Sequence, residues 1–236
     1  MFITTSAIVL RTYPFRDKKL IVKVFTLDYG IMSFIITKNK SQIILSQSLT
    51  IAEVTYKHVK NKSLFYIKEV QVEYIYNSLT TNRKKMEIGI VLCEIMTKCL
   101  NEKNKRLYIY IKNTLIQLDK IEKYAEGFDT LFLIKFCEII GISPFTKENS
   151  AKTNLFLNLE EGQFVKYQAP NKLNTISKEE SYLLQKLAYL DFDDLNKINM
   201  HSSVNQTLFQ IMIKYISIHL TDITKLKSIN IFKSMS

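Results

Sequence analysis

The first 75 residues contain five short segments crowded with β-branched and aromatic residues, the composition of β-strands. They cover residues 3–13, 20–26, 31–37, 49–58 and 64–74, and the last two alternate between apolar and polar positions. Asp28 and Gly30 separate the second and third segments, where a tight hairpin turn needs such residues. The pattern predicts a module of five strands, and an OB-fold and an SH3-like barrel would both satisfy it.

The period changes at about residue 81, where apolar positions begin to recur every three or four residues, as in amphipathic helices. Helices are predicted over residues 84–100, 105–124, 128–140, 177–190 and 203–220, with a short turn or helix at 191–198. Gly141 should end the third helix, Ser177 and Glu180 form a capping box for the fourth, and Ser203 should cap the fifth. Residues 155–166 predict a small β-hairpin.

These patterns predict an α+β protein with two domains: a five-stranded barrel over residues 1–78 and a mostly helical domain over residues 82–236. The connection near residue 80 is short, so the two should pack together. No apolar run reaches the roughly 18 residues that a membrane span requires, and the N-terminal segment lacks the apolar core of a signal peptide. We therefore expect a soluble, cytoplasmic protein.

The net charge of +11 suggests a polyanionic partner. Residues 1–80 contribute +6, residues 81–150 contribute +3 and residues 151–236 contribute +2. A lysine-rich composition also arises from an AT-rich genome, but codon bias would spread the charge evenly. The concentration of charge therefore favours a localised nucleic-acid-binding surface in the β-module.

Single-stranded nucleic acid is held by cations that contact phosphates and by rings on which bases stack. The β-module offers both in its strands and loops. The predicted contacts are Arg11, Tyr13, Phe15, Arg16, Lys18, Lys19, Lys38, Lys40, Lys57, Lys60 and Lys62. Phe34 and Phe65 are expected in the barrel core, and Tyr56 could lie in the core or at the surface.

The spacing of other reactive residues does not match a catalytic or cofactor motif. The five glycines fit neither a phosphate-binding loop nor a dinucleotide turn, and the three histidines lack metal-ligand spacing. Cys93, Cys99 and Cys137 are expected to be buried thiols rather than disulfide or zinc ligands. A carboxylate cluster at residues 191–194 is expected to be a solvated loop or a helix start. We therefore expect a binding protein without a cofactor rather than an enzyme.

The sequence also resembles a known family. Residues 3–13 (ITTSAIVLRTY), followed by 20–26 and 29–34, resemble the N-terminal segment of RecO, a family of bacterial recombination mediators. Weaker similarities follow in the same order at residues 136–142 (FCEIIGI), 155–164 (LFLNLEEGQF) and 226–229 (LKSI). The resemblance covers nearly the whole chain, and it favours the OB-fold over the SH3-like barrel.

The resemblance implies a role in DNA repair and homologous recombination. Such a protein binds single- and double-stranded DNA and anneals complementary strands. With RecR it helps to load RecA onto DNA coated with single-stranded-DNA-binding protein, and it is associated with the nucleoid. The loop at residues 37–41 is shorter than in the family, so the DNA contacts of other members apply least to this loop. The zinc module of some members is missing.

The resemblance further implies that the helical domain binds the acidic, Phe-ended tail of single-stranded-DNA-binding protein. An apolar groove with one cation would suit such a tail. The candidates on one helix are Leu131, Phe132, Lys135, Phe136 and Ile139. The alternative is that the two phenylalanines belong to the core.

Two other functions remain open from the residues alone. The first is an OB-fold module that binds RNA, for instance a tRNA- or ribosome-associated factor. The second is a metal-dependent enzyme that uses Asp191, Asp193 and Asp194. Competition between DNA and RNA oligomers would separate the first from DNA repair, and magnesium-dependent nuclease activity would reveal the second.

Overall fold

A closed β-barrel forms the N-terminal part of the computed structural model, which describes residues 1–100, 102–145, 154–167 and 174–228. Its strands are β1 (Phe2–Pro14), β2 (Lys19–Thr26), β3 (Gly30–Thr37), β4 (Ile51–Lys57) and β5 (Leu64–Tyr74). The order around the barrel is β1-β2-β3-β5-β4, and the β3–β5 pair is parallel whereas the other pairs are antiparallel. This confirms the predicted five-stranded OB-type barrel.

Alternate side chains of each strand fill the barrel, because successive residues point to opposite faces of a sheet. Phe34 and Phe65 lie in this core, as predicted. Tyr56 joins them and is 1% exposed. Its ring centroid is 5.1 Å from that of Phe34 and 5.2 Å from that of Phe65. Tyr56 is therefore a core residue and offers no surface on which a base could stack.

In the described residues, five α-helices and a small hairpin follow the barrel. They are α1 (Arg83–Cys99), α2 (Lys105–Lys120), α3 (Phe128–Ile139), α4 (Lys178–Ala188) and α5 (Ser202–His219), with strands β6 (Phe156–Asn158) and β7 (Gln163–Val165). The predicted α+β class, helices and hairpin are thus confirmed. Short 3₁₀ helices lie at Ile43–Ser46, which was not predicted, and at Phe192–Lys197.

Helix ends follow local chemistry. The N–H groups of Gly141 and Ile142 donate to the carbonyls of Glu138 and Cys137, which ends α3 in a Schellman arrangement with Gly141 at φ 82°. Ser177 and Glu180 form the predicted capping box of α4. The prediction that Ser203 caps α5 is wrong. The N-cap residue is His201, and the His201 side chain accepts a hydrogen bond from the N–H of Ser203.

Two other predicted boundaries are corrected. Helix α2 ends at Lys120 rather than at residue 124. Strand β4 begins at Ile51 rather than at residue 49, since Leu49 has a left-handed backbone (φ 71°) that a strand cannot continue.

The chain forms two compact units that differ from the sequence-based division. The first unit contains Met1–Glu122 and the segment that begins at Leu226, and the second contains Lys123–Lys225. Helices α1 and α2 therefore belong to the barrel unit, where the Sγ of Cys93 lies 2.9 Å from the carbonyl oxygen of Leu10 and the hydroxyls of Tyr108 and Ser6 are 2.6 Å apart. The domain limits 1–78 and 82–236 remain a prediction.

A buried polar network joins the end of the barrel to α1 and α2 in the first unit. The carboxylate of Asp119 accepts from the backbone N–H groups of residues 77, 78 and 79 at 2.7–3.1 Å and from the hydroxyl of Tyr74 at 2.9 Å. Lys85 is 2% exposed, and its Nζ donates to the Ser78 hydroxyl and to the carbonyls of Asp119 and Ile121. The cation thereby caps the C-terminal carbonyls of α2.

The returning segment at residues 226–228 is also anchored on α1. The carboxylate of Glu94 accepts from the N–H of Ser228 at 2.8 Å and from that of Lys227 at 3.3 Å, and the Ser228 hydroxyl also donates to it. Burial opposes ionisation of Glu94, but these donors outweigh it and hold the pKa of its carboxyl below the usual range.

The second unit contains a buried carboxylate at the start of α3. Oδ1 of Asp129 accepts from the side-chain amide of Asn205 and from the N–H of Thr130, both at 2.9 Å, whereas no described group bonds to Oδ2. Burial raises the pKa of Asp129, and the nearby Glu126 adds to this effect. The ionised form is therefore unfavourable in the folded unit.

Asp129→Asn should gain stability relative to the wild type as the pH rises. A carboxyl whose pKa is raised by folding contributes its full stability below its unfolded pKa and loses it as the pH rises through the folded pKa. The amide keeps the Oδ1 acceptor and does not titrate. Denaturant unfolding at pH 4 and pH 7 measures the difference between the two proteins. A difference that does not change with pH would contradict the assignment.

Candidate nucleic-acid interface

Cross-strand pairing decides which side chains share the outer surface of the barrel. The register places four residues in one row across β1, β2, β3 and β5: Tyr13, Ile21, Ile35 and Tyr66. The row on one side contains Arg11, Lys23, Ser33 and Leu64, and the row on the other contains Lys19 and Thr37. Since the rows between them point into the core, these ten residues lie on the outside of the barrel, which we call the outer face. Ile35 is its one buried member and is 6% exposed.

The outer face combines positive charge with exposed rings. None of its ten residues is acidic. Tyr13 is 39% exposed and Tyr66 is 57% exposed. The guanidinium of Arg11 lies 5.1 Å from the ring centroid of Tyr13, and the Nζ of Lys19 lies 5.2 Å from that of Tyr66. Each ring on which a base could stack therefore has a cation beside it for the neighbouring phosphate.

The first loop, residues 15–18, extends this surface at one end of the barrel. A tight turn closes it, because the N–H of Phe15 donates to the carbonyl of Lys19 and Arg16 has φ 56°. The guanidinium of Arg16 lies 5.2 Å from the ring of Phe15. The N–H of Lys38 donates to the carbonyl of Lys18 at 3.0 Å, so the segment after β3 lies beside the first loop. The structure therefore brings Lys38 beside the predicted residues of the first loop.

The remaining predicted cations lie elsewhere. Lys57 ends β4 opposite Phe2, and Lys60 and Lys62 lie in the loop between β4 and β5. All three are exposed. The loop is at the end of the barrel away from the first loop, because it adjoins the start of β1 whereas the first loop follows the end of β1. The predicted set is thus divided between two ends.

Sequence reasoning missed several residues of this surface. The predicted contacts omit Tyr66, although it is the most exposed ring of the outer face. They also omit Lys23, which lies in the same face. The Nζ of Lys68 lies 4.4 Å from the ring of Phe2, which is 54% exposed. The strand alternation of β5 marks Tyr66 and Lys68 as surface residues. Only the pairing of β5 with β3 shows which residues lie beside them.

The charge of the two units differs sharply. Residues 1–122 and 226–236 contain 22 Lys and Arg against 10 Asp and Glu, a net charge of +12. Residues 123–225 contain 11 against 12, a net charge of −1. The whole positive excess therefore belongs to the unit that contains the outer face, and a polyanion should bind there.

The predicted residues of α3 are arranged differently from an open groove. Leu131, Phe132 and Phe136 have no exposed surface, as the alternative interpretation of this helix expected. The Nζ of Lys135 donates to the carbonyl of Ala188 at 2.8 Å and lies 3.5 Å from Glu138. Lys135 and Ile139 retain partial exposure. Binding of a tail at this helix remains a prediction, and it would have to begin at these two residues.

Other candidate chemistry is accounted for by local structure. Cys93, Cys99 and Cys137 are buried thiols outside any disulfide, as predicted. Asp191 precedes a 3₁₀ helix, and Asp194 in that helix pairs with Lys197. The described residues contain no group of three or more His, Cys, Asp and Glu side chains that could hold a metal. Among the described helices, none has the length and apolar character needed to cross a membrane.

Comparison with protein families decides the relationship of the chain. Residues 1–76 match the model described as "Recombination protein O N terminal", and residues 81–228 match "Recombination protein O C terminal". The chain belongs to the RecO family. The barrel with the outer face is thus the N-terminal OB-fold of a RecO family DNA repair protein, and DNA-binding and recombination fit that family.

Curated RecO relatives span the same length. A DNA repair protein RecO from Flavobacterium psychrophilum is 30% identical over 243 residues, which cover 100% of this chain and 99% of the relative. RecO from Azobacteroides pseudotrichonymphae is 28% identical, with the same coverage. RecO from Flavobacterium johnsoniae is 29% identical, again over 100% and 99% of the two chains.

Proposed function

We propose that the protein binds single- and double-stranded DNA and anneals complementary strands without catalysing a covalent step. The observation that carries this proposal is the outer face, which presents rings with adjacent cations and no acidic residue. OB-folds bind oligonucleotides on the same region, the face of strands 2 and 3 between the loops that flank it. The chemistry on this surface fits that mode.

Annealing follows from neutralised phosphates. Two DNA strands repel each other, and cations that contact their backbones lower this repulsion and release bound counterions. Rings that hold bases by stacking leave the hydrogen-bonding edges of those bases available for a complementary strand. A surface of this kind therefore both binds a strand and presents it for pairing.

We further propose that the protein acts with RecR to load RecA onto DNA coated with single-stranded-DNA-binding protein. This role and an association with the nucleoid derive from the family. Contact with the tail of single-stranded-DNA-binding protein would involve Lys135 and Ile139 on α3, since the apolar members of the predicted set are buried.

The test is annealing of complementary oligonucleotides coated with single-stranded-DNA-binding protein, with and without the C-terminal tail of that protein. We expect the protein to accelerate annealing of the coated strands, and removal of the tail to abolish most of the acceleration. The matched control is annealing of bare strands, which the tail cannot affect. No acceleration of bare strands would contradict the annealing function itself. Tail-independent annealing would contradict only the partner contact.

A second candidate is RNA binding, because phosphate contacts and stacking do not by themselves distinguish RNA from DNA. Competition between DNA and RNA oligomers of one sequence separates the two. Preference for RNA would favour this alternative over DNA repair.

A further inference from the structure

The loop between α1 and α2 is seated directly on the β2–β3 turn. Gly30 has φ 69°, and a Cβ atom at this position would lie 2.7 Å from the backbone nitrogen of Lys103. The contact is therefore backbone against backbone, and only glycine allows it. Lys105 lies 3.0 Å from one oxygen of Asp28, whose other oxygen accepts from the Thr5 hydroxyl at 3.2 Å. The carboxylate of the turn is thereby neutralised.

Three cations around this loop form no ion pair in the described part of the chain, although Lys103 adds to the effect of Lys105 in lowering the pKa of Asp28. Lys98, Lys103 and Arg106 are exposed and form no ion pair with any described residue. Other cations of α1 and α2 are engaged: Arg83 with Glu87, Lys105 with Asp28 and Lys112 with Glu73. Glu102 is the one acidic residue between positions 98 and 106. The loop thus presents more positive charge than the single carboxylate of Asp28 can neutralise.

An exposed ring lies next to Gly30, the residue that contacts the backbone of Lys103. Tyr29 is 47% exposed, and its ring contacts the buried Tyr56 edge-on, with centroids 6.5 Å apart. Tyr56 immediately precedes Lys57 and the loop with Lys60 and Lys62, so the predicted cations of that loop lie at the same end of the barrel. We call this region the turn-end surface. It contains Tyr29, Lys98, Lys103 and Arg106, whereas Lys57, Lys60 and Lys62 flank the outer face, because their loop joins that face at Leu64.

The turn-end surface is electrostatically separate from the first loop. The two regions lie at opposite ends of β2, whose eight residues span about 23 Å. Screening in physiological salt limits charge–charge interactions in water to about 8 Å. The cations of the turn-end surface therefore do not act on the first loop from a distance, and they contribute to binding only where they contact a phosphate backbone directly.

We propose that the turn-end surface holds the backbone of a second nucleic-acid strand while the outer face holds the first. The proposal rests on the annealing function proposed above and assigns a place to each of the two strands. Dispersed cations around an exposed ring suit a chain of phosphates and bases. An acidic protein segment is the competing occupant.

The test is the pair Lys103→Glu with Arg106→Glu, compared with Lys186→Glu and Lys225→Glu, which make the same change of charge on exposed residues of the second unit. Fluorescence anisotropy of one labelled oligonucleotide measures binding of the first strand. The rate at which two complementary oligonucleotides anneal measures whether the second strand is bound as well. We expect single-strand affinity within about twofold of wild type and annealing about tenfold slower, as lost phosphate contacts require. The control should leave both unchanged.

Each other result has a distinct meaning. Unchanged annealing overturns the proposal, and so does an equal fall in affinity and annealing, since the residues would then belong to the first site. Loss of polyglutamate binding in the variant with annealing retained would assign the surface to an acidic protein. Failure of the wild type to anneal would overturn the proposed function instead. If the charge reversals unfold the protein, Lys103→Gln with Arg106→Gln decides by the same two measurements.

Discussion

Replacing Asp119 by Ala is expected to lower the free energy of unfolding of the first unit by about 3–5 kcal/mol. The side chain is 3% exposed, and its carboxylate accepts from three consecutive backbone N–H groups and from Tyr74. Alanine leaves these buried donors without an acceptor, and each unsatisfied donor costs about 1–3 kcal/mol. The backbone at residues 77–79, where the chain leaves the barrel for α1, loses its anchor.

Denaturant unfolding of the two proteins measures this effect, with Asp222→Ala as the matched control. Asp222 is exposed and bonds only locally to Thr224, so its loss should cost less than about 0.5 kcal/mol. A loss below about 1 kcal/mol for Asp119→Ala would show that water replaces the carboxylate and that the network is not a principal anchor.

The same carboxylate adds a pH dependence of known sign. Burial would raise the pKa of Asp119, but the N–H groups of Ser78, Asn77 and Leu79 outweigh it and hold the pKa below its usual value. Its stability contribution is therefore complete above the unfolded pKa and is lost as the pH falls through the folded pKa. The deficit of Asp119→Ala should accordingly shrink in acid.

The pair Lys18→Glu with Lys19→Glu is expected to weaken binding of single-stranded DNA at least about a hundredfold in low salt, because two phosphate contacts become repulsive. The dependence of log affinity on log salt should become less steep by about 1.4, or about 0.7 for each lost contact. Anisotropy titrations at several salt concentrations measure both quantities. Lys18 is exposed and Lys19 is half-buried over the Tyr66 ring, so the fold should be retained.

The control for charge is again Lys186→Glu with Lys225→Glu in the second unit, which should leave the affinity and the salt slope unchanged. If this control weakens binding equally, net charge alone drives binding and the outer face has no special role. An unchanged affinity for the Lys18 and Lys19 pair would place the DNA elsewhere on the first unit.

At Tyr66, the contribution of base stacking to DNA binding can be measured separately from the contribution of charge. Removing the ring with Tyr66→Ala should cost about 1–3 kcal/mol of binding free energy and leave the salt slope unchanged, whereas Tyr66→Phe keeps the ring and should bind nearly as wild type. An equal loss in both variants would implicate the hydroxyl rather than the ring. The two sets of variants together distinguish phosphate contacts from base contacts.

The barrel was predictable because its information is local. The five strands are visible as β-branched and aromatic segments, and Gly30 marks a turn that requires a left-handed backbone. The partners of each strand are not visible, since the parallel pairing of Ile35 with Tyr66 joins residues 31 positions apart. The sequence therefore predicts Lys19 as a DNA contact but does not reveal Tyr66, the ring beside it.

Helix packing limited the prediction in a different way. An amphipathic pattern shows that one face of a helix is buried but not what covers it, so α1 and α2 could not be assigned to the barrel unit. Helix α3 is apolar around most of its circumference, and such a pattern fits a groove and a core equally well. Full burial of Phe132 and Phe136 became evident only from the packing of the second unit.

The anchoring of both chain crossings on one helix has a practical consequence for protein engineering. Lys85 of α1 binds the carbonyl of Ile121, just before the chain enters the second unit, and Glu94 binds the N–H groups of Lys227 and Ser228, just after it returns. Nine helical residues separate these anchors by roughly 14 Å, a gap that about six to eight flexible residues can bridge. The second unit is therefore an insertion that can be excised and replaced by a short linker, which would yield a minimal barrel module carrying both nucleic-acid surfaces.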